Sequence, residues 1–396
     1  MKKNLEQVLT QKAKSIRVIY VSSYIPRRCG IATYTKDLTN AINLLNPYAL
    51  AEIMAVNRKE EVLDYPWEVK FKINQDDLAS YLQASDYINK SGADLVSLQH
   101  EFGLFGGHCG EYVLPFVESL KLPLVTTLHT VVVNTDSDKE VVFKRLIKKS
   151  KAVIVMMKNI KEKLVVEYDT LRKKVIVIPH GTPDLPYEST ERVKKKKKLT
   201  GRLVLGNINL LSSTKGIEYA LKAVTLIAKK YPHVLYLVIG QTHPVVLQNE
   251  GEKYRNFLKQ KVKKLGIGYN VKFINEYLSL GDLIEWLRAI DIYITPYLDP
   301  QQAASGALAY AVGAGKSCIS THYLYAKEVL FDGRGILVPF RDSNLIAQAV
   351  TYLWENPDKR KEMEKKAYSY GRLMTWPNIA LQHLDLFRAT LNPNEK

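Results

Sequence analysis

The sequence predicts an α/β protein with two doubly wound, parallel-sheet domains facing a cleft, and three observations support this. Its 396 residues exceed what one core usually holds, since single cores rarely grow past roughly 250–300 residues. Short β-branched and aromatic runs alternate with amphipathic segments, the pattern of strand–helix–strand units that build parallel sheets. The alternation runs twice, from Arg17 and again from Leu203, with the lysine-rich Glu191–Thr200 between. That run is expected to be solvated and to mark the domain linker or its edge. The expected domains are residues 1–190 and 199–373.

In the first half, Arg17–Ser23 reads as the opening strand. A loop turning at Gly30 and an amphipathic helix to about Leu44 follow, the layout of a phosphate- or nucleotide-binding half. No GxGxxG is present, so the dinucleotide fingerprint is absent. Further strands are expected at Asp94–His100, Pro123–His129, Val153–Met157 and Val175–Pro179. His100, His129 and His180 each sit at or just past a strand's carboxyl end, where open α/β sheets bind ligands. One such histidine reads as an ordinary loop residue; three together point to a site, with His129 foremost.

The second half restarts with the strand Leu203–Asn209, the loop Leu210–Gly216 and a helix from Ile217. Leu235–Gly240 and Val271–Asn275 continue the pattern, and Asp291–Thr295 is a short buried strand. A loop holding Pro296, Asp299 and Pro300 then leads into an Ala-rich helix from about Gln302 to Val312, stopped by Gly313 and Gly315. A helix opening with Ser305-Gly306-Ala307 after a strand and a polar loop makes an anion site, because free amides and the helix dipole both favour negative charge. The same residues read equally well as an ordinary Ala/Gly helix packed on a sheet.

The formal charge of +17 calls for an anionic partner: membrane surface, nucleic acid or phosphorylated substrate. Tyrosine is abundant, but no RNP-like or KH pattern accompanies it, so nucleic acid is not expected. No apolar run is long enough to span a bilayer, and Met1-Lys-Lys-Asn lacks a signal peptide's apolar core. Cys29, Cys109 and Cys318 are too scattered for a disulfide framework or a zinc set. A cytoplasmic protein is therefore expected. Gly313-Ala-Gly-Lys-Ser317 resembles the tail of a Walker A loop, but Tyr310 stands where its first glycine belongs, so it reads as a chain stop. Asp136-Ser-Asp138 spells a lone DxD that reads as a helix cap, and His108-Cys109 has no partners at metal spacing, so no metal site is expected.

Several stretches together carry a family likeness. They are Pro26-Arg-Arg-Cys-Gly-Ile-Ala-Thr-Tyr34, Gln99-His-Glu-Phe-Gly-Leu-Phe-Gly-Gly107, Thr126-Thr-Leu-His-Thr130, Ile178-Pro-His-Gly181, Lys215-Gly-Ile-Glu218, Ser305–Lys316, Asp332–Phe340 and Trp376. The chain resembles the family 4 glycosyltransferases, whose two Rossmann-like domains form the GT-B architecture, and is most similar to a bacterial mannosyltransferase-like branch. The resemblance implies that a last helix, about residues 374–396, crosses back onto the N-terminal domain. It also implies a retaining hexosyltransferase moving a sugar, best guess mannose, from a sugar nucleotide to a glycan or lipid-linked glycan. The acceptor would lie on the N-terminal domain and the donor on the C-terminal one. The two family glutamates fall on Gln302, beside the sugar, and Tyr310, beside the ribose. Lys215 matches the diphosphate lysine, and Asn207 stands where an arginine is expected. The amides of Ser305, Gly306 and Ala307 match the diphosphate cradle, Gly30 the opposing glycine and His129 the histidine beside the sugar. Arg27, Arg28, His100 and Glu101 are the acceptor-side candidates. His129, Lys215 and Gln302 are expected to carry the reaction without metal or other cofactor. A lipid-linked acceptor, the net charge and Lys194–Lys198 together imply peripheral association with an anionic inner-membrane face. Two other readings remain: a phosphorylase, because Gln302-Ala-Ala-Ser-Gly306 resembles the Glu-Ala-Ser-Gly of α-glucan phosphorylases, and an inactive sugar-binding partner subunit.

Overall fold

A computed structural model describes residues 15–59, 61–132 and 137–392. The first sheet has seven parallel strands: β1 (Val18–Ser22), β2 (Glu52–Asn57), β3 (Val69–Asn74), β4 (Leu95–His100), β5 (Leu124–Leu128), β6 (Ala152–Val155) and β7 (Val175–Val177). Their order is β3-β2-β1-β4-β5-β6-β7. The second sheet has six: β8 (Val204–Ile208), β9 (Leu235–Ile239), β10 (Val271–Ile274), β11 (Ile292–Thr295), β12 (Ser317–Thr321) and β13 (Ile336–Val338), ordered β10-β9-β8-β11-β12-β13. Helices cover both faces, so central strands such as Val18-Ile-Tyr-Val-Ser22 are buried throughout and read as apolar runs rather than alternations. This is the doubly wound pair the sequence predicts.

In each sheet the strand order reverses once, between β1 and β4 and between β8 and β11. Chains leaving neighbouring strands at that point turn to opposite faces and open a crevice at the carboxyl ends. Gly30 follows β1 and His100 ends β4, while Lys215 follows β8 and Ser305 follows β11. These four positions therefore lie at the two switch points, while His129 follows β5.

The last helix, Trp376–Leu391, buries Trp376, Ile379, Ala380, His383, Leu384 and Phe387 and packs along the helix Gly30–Leu45. The chain enters it through a short parallel bridge, in which Thr182 N–H donates to Met374 O (2.7 Å) and Trp376 N–H to Thr182 O (2.9 Å). A β-carbon on Gly181 would lie 2.1 Å from the Trp376 ring, so only glycine admits this crossing.

The lysine run departs from expectation. Thr190–Lys196 is a helix docked on the second domain, and Lys194 is 2% exposed. Lys194 Nζ lies 2.6 Å from Asp291 Oδ2 and donates to Arg202 O at 3.0 Å. Lys196 and Lys197 share Glu285, holding its carboxyl near pKa 2. The run is thus less a solvated linker than a clamp onto partners about 90 residues away. Lys316 of the Gly-Ala-Gly-Lys-Ser stretch is also structural: its Nζ caps the helix Leu280–Ala289 by donating to Arg288 O (2.8 Å) and Ile290 O (2.9 Å).

Removing Lys194 leaves a buried carboxylate unpaired, which typically costs 3–5 kcal/mol. Lys194→Ala is therefore expected to lower the melting temperature by several degrees, while Lys195→Ala, at an exposed position, changes it by less than about 1 °C. Equal effects in the two melting curves would show the run to be solvated after all.

Candidate active site

The N-terminal wall begins at the loop after β1. Cys29 Sγ accepts Ala32 N–H (3.3 Å) and caps the helix Gly30–Leu45. Gly30 is exposed, and a β-carbon there would meet nothing within 4 Å, so the first turn of this helix is open. Arg28 is exposed and donates to Gln241 Oε1 of the other domain at 2.9 Å. Arg27 is not on the acceptor side. It is buried, its guanidinium taken by Val56 O (2.9 Å), Gln75 Oε1 (3.3 Å) and Glu61 (3.3 Å), so it ties this loop to the ends of β2 and β3.

The three histidines divide. His129 Nε2 lies 3.0 Å from Gln99 Oε1, which fixes the proton on Nε2 and leaves the Nδ1 lone pair. Burial, with His180 and His100 nearby, lowers its pKa to about 3, so it is neutral at physiological pH. His100 is corrected: it is fully buried, stacked on Phe105 (5.7 Å) and edge-on to Phe102 (4.9 Å), and neither ring nitrogen has a partner. It supports the wall from behind. Glu101 is half-buried beside His129; its carboxylate accepts Phe102 N–H (3.1 Å) and the Thr130 hydroxyl, and burial raises its pKa. His180 donates from Nδ1 to Gly181 O (2.7 Å), and a β-carbon on Gly306 would lie 3.0 Å from its Nε2. It therefore abuts the opening of the C-terminal domain's central helix. Tyr34 packs edge-on against His129 (5.0 Å), His180 (5.1 Å) and Trp376 (5.3 Å), forming the floor.

The C-terminal wall is built from the loops after β8 and β11. Gly216 is left-handed (φ +60°), and a β-carbon would sit 2.1 Å from Pro296 O, so glycine alone lets these loops close on each other. Leu298 N–H donates to Thr214 O (2.9 Å) across the contact. This brings Lys215 Nζ to 4.2 Å from the Tyr297 ring centroid, with Tyr297 stacked on Tyr323 at 5.2 Å. Burial lowers the Lys215 pKa to about 8, partly offset by Asp299. Ser305 Oγ accepts Leu308 N–H (3.3 Å), capping the helix Gly306–Gly313 and leaving Gly306 and Ala307 half-buried at its start. Gln302 is half-buried and donates to Ala304 O (2.9 Å).

Two donor-side expectations change. Asn207 does not face the cleft: it is fully buried, donates to Ile294 O (2.7 Å), accepts from Asn209, and ties β8 to β11. Tyr310 does sit between the domains, but its hydroxyl donates to Asp37 Oδ2 at 2.5 Å. Sequence reasoning missed this partner, along with the Thr33–Tyr277 hydroxyl pair (3.1 Å). The signal was there, since Gly30, Thr33 and Asp37 share one helix face at i, i+3 and i+7. Of the DxD, Asp136 lies outside the described residues, and Asp138 pairs with His108 Nε2 (2.7 Å). Among the described residues no cluster of three His, Cys, Asp or Glu could hold a metal.

Residues 188–370 match the family model "Glycosyl transferases group 1". This segment, just under half of the chain, is similar to the group 1 glycosyl transferases. D-inositol 3-phosphate glycosyltransferase of Corynebacterium urealyticum is 22% identical over 229 residues, or 56% of this chain. The match spans about half (53%) of that relative's length. Among solved structures, sucrose-phosphate synthase from Thermosynechococcus elongatus superposes with a TM-score of 0.74 at 16% identity, over 96% of this chain and 100% of that one. Anabaena Alr3699/HepE in complex with UDP and glucose gives 0.74 at 14% identity, over 94% and 100%. Trehalose-6-phosphate synthase OtsA gives 0.71 at 13% identity, over 94% and 99%. The fold of the whole chain is GT-B.

Removing the Tyr310 hydroxyl leaves the half-buried Asp37 carboxylate without its partner, so Tyr310→Phe is expected to cost about 1–3 kcal/mol. Adding Asp37→Leu should recover part of that loss in a double-mutant cycle read by thermal melting. Strictly additive losses would mean that the pair does not couple the domains.

Proposed function

We propose that the chain is a retaining glycosyltransferase that transfers a hexose from a sugar nucleotide to a hydroxyl of a glycan or lipid-linked glycan. The observation that carries this reading is a desolvated cation and an open helix N-terminus at one switch point. Lys215 lies over Tyr297, and Ser305 caps Gly306–Gly313 with Gly306 and Ala307 at its start. The open first turn at Gly30 belongs to the helix that meets this domain through Thr33–Tyr277 and Asp37–Tyr310. Together these features suit a diphosphate.

In this reading the bond from the anomeric carbon to the leaving phosphate oxygen breaks as the acceptor hydroxyl attacks from the same face. The acceptor's proton passes to the departing phosphate. Lys215 and the amides of Gly306 and Ala307 stabilise the charge that develops there. No carboxylate stands at Gln302 or Tyr310 for a covalent double displacement, which favours this route to retention. His129 is neutral and does not shuttle the proton; its Nδ1 lone pair and Gln302 orient sugar hydroxyls. The Arg28–Gln241, Thr33–Tyr277 and Asp37–Tyr310 contacts hold the cleft closed and keep out water that would hydrolyse the donor. Lys215 and the helix supply the positive charge in this scheme, without a metal. Mannose was the sugar expected from the family branch; the UDP and glucose held by HepE make UDP-glucose the first donor to test beside GDP-mannose.

The charge state of Lys215 sets the pH dependence. Its pKa is lowered to about 8, so the phosphate-binding ammonium form is lost as pH rises through that value. kcat/KM is expected to fall along a limb near pH 8, since that ratio reports the free enzyme. Lys215→Met should abolish the limb and lower kcat/KM by ~10²-fold, about 3 kcal/mol in the transition state. It should leave the melting temperature at pH 7 unchanged or slightly higher, because a desolvated charge is removed. A variant keeping more than about a third of wild-type efficiency would place the phosphate elsewhere. Release of sugar-1-phosphate from a glycan and inorganic phosphate, or nucleotide binding without any transfer, would replace this reading with a phosphorylase or an inactive subunit.

A further inference from the structure

We propose that Arg58, Lys215 and His243 form a composite anion site at the mouth of the cleft, which grips a phosphoryl group between the two domains. The inference rests on the function proposed above and adds a second point of grip to Lys215.

Arg58 follows β2 in the N-terminal domain and is half-buried. Its backbone N–H donates to Glu61 Oε2 (3.4 Å), while its guanidinium has no hydrogen-bond or ion-pair partner among the described residues. His243 follows β9 in the C-terminal domain. Its Nδ1 accepts Val245 N–H (3.3 Å), so Nε2 carries the proton and is the free donor. Its N–H donates to Leu211 O (2.9 Å), and Leu211 bridges Thr242, so His243 is pinned to the loop that carries Lys215.

The two domains meet beside this point. Arg28 donates to Gln241 (2.9 Å), and the neighbouring Arg27 pairs with Glu61 (3.3 Å) in the same turn as Arg58. The His243 pKa is depressed by burial first, then by Lys215 and Arg58, so both cations act on one imidazole. The surrounding acids do not neutralise them. Glu61 is held by Arg27 and the Arg58 amide, and Glu252 by Arg255 (3.0 Å) and Thr242 (2.5 Å); among the described residues only Asp299 acts on Lys215. Arg255 lies buried beneath, donating to Gly240 O (2.9 Å), with its Nη1 unpartnered.

Two cations and an N–H donor drawn from both domains, with one acid acting on them among the described residues, suit a phosphoryl dianion. That group is either the terminal phosphate of a nucleoside diphosphate donor or a phosphate on the acceptor. Calorimetry with UDP, and with inorganic phosphate added to UDP-saturated protein, separates the two. Arg58→Gln and His243→Asn (the latter able to keep the helix cap) are compared with wild type, with folding checked by melting curves.

If the donor supplies the group, each variant weakens UDP binding roughly tenfold and UDP-saturated protein no longer binds phosphate. If the acceptor supplies it, phosphate still binds beside UDP and that binding weakens instead. Both results support the site. Variants matching wild type within twofold for both probes would overturn it; if Lys215→Met alone then weakens UDP, the proposed function stands without this site. If Lys215→Met has no effect either, or wild type does not bind UDP, both fall.

Discussion

The approach of Trp376 to Gly181, with 2.1 Å between the indole and a would-be β-carbon, constrains the whole molecule. There the chain returns from the second domain and lays its last helix on Gly30–Leu45. The crossing also stacks the floor, because Tyr34 meets Trp376, His180 and His129 edge-on within 5.0–5.3 Å. Such aromatic pairs add roughly 0.5–1.5 kcal/mol each beyond area burial, and their geometry is directional. His180 in turn touches the position of Gly306, so the start of the central helix is set against the floor rather than left to a flexible linker.

That rigidity gives the charges their meaning. Lys215 is held over Tyr297 in a place dry enough to bring its pKa down to about 8, an arrangement that costs stability. His100, behind the wall, and His129 and His180, which help form it, are neutral, with pKa values lowered by burial to about 3 or 4. Proton transfer by imidazole is therefore not what this cleft is built for. Its resources are fixed dipoles, a cation and closure, which suits a reaction whose leaving group is itself a competent base.

The fold was largely legible, because buried parallel strands such as Val18–Ser22 and Leu235–Ile239 read as apolar runs with turn signals at their ends. The helix opening at Ser305 and the Lys215-Gly216 turn were legible for a similar reason: local chemistry decides them. What sequence could not decide was which of two adjacent polar residues enters the core. Arg27 is buried and Arg28 is not; His100 lies behind the wall while His129 lies on it. Asn207 matched a family position, yet its amide is spent on a neighbouring strand's carbonyl. The lysine run misled for the opposite reason. Its partners, Asp291 and Glu285, are remote in sequence and reach it only after the helices dock.

The most direct test of the diphosphate cleft is a crystal structure of the chain with UDP-glucose or GDP-mannose. The diphosphate is expected roughly 3 Å from Lys215 Nζ and from the amides of Gly306 and Ala307, with the hexose between His129 and Gln302. A nucleotide bound with its phosphates away from both Lys215 and the start of Gly306–Gly313 would contradict the assignment of the cleft.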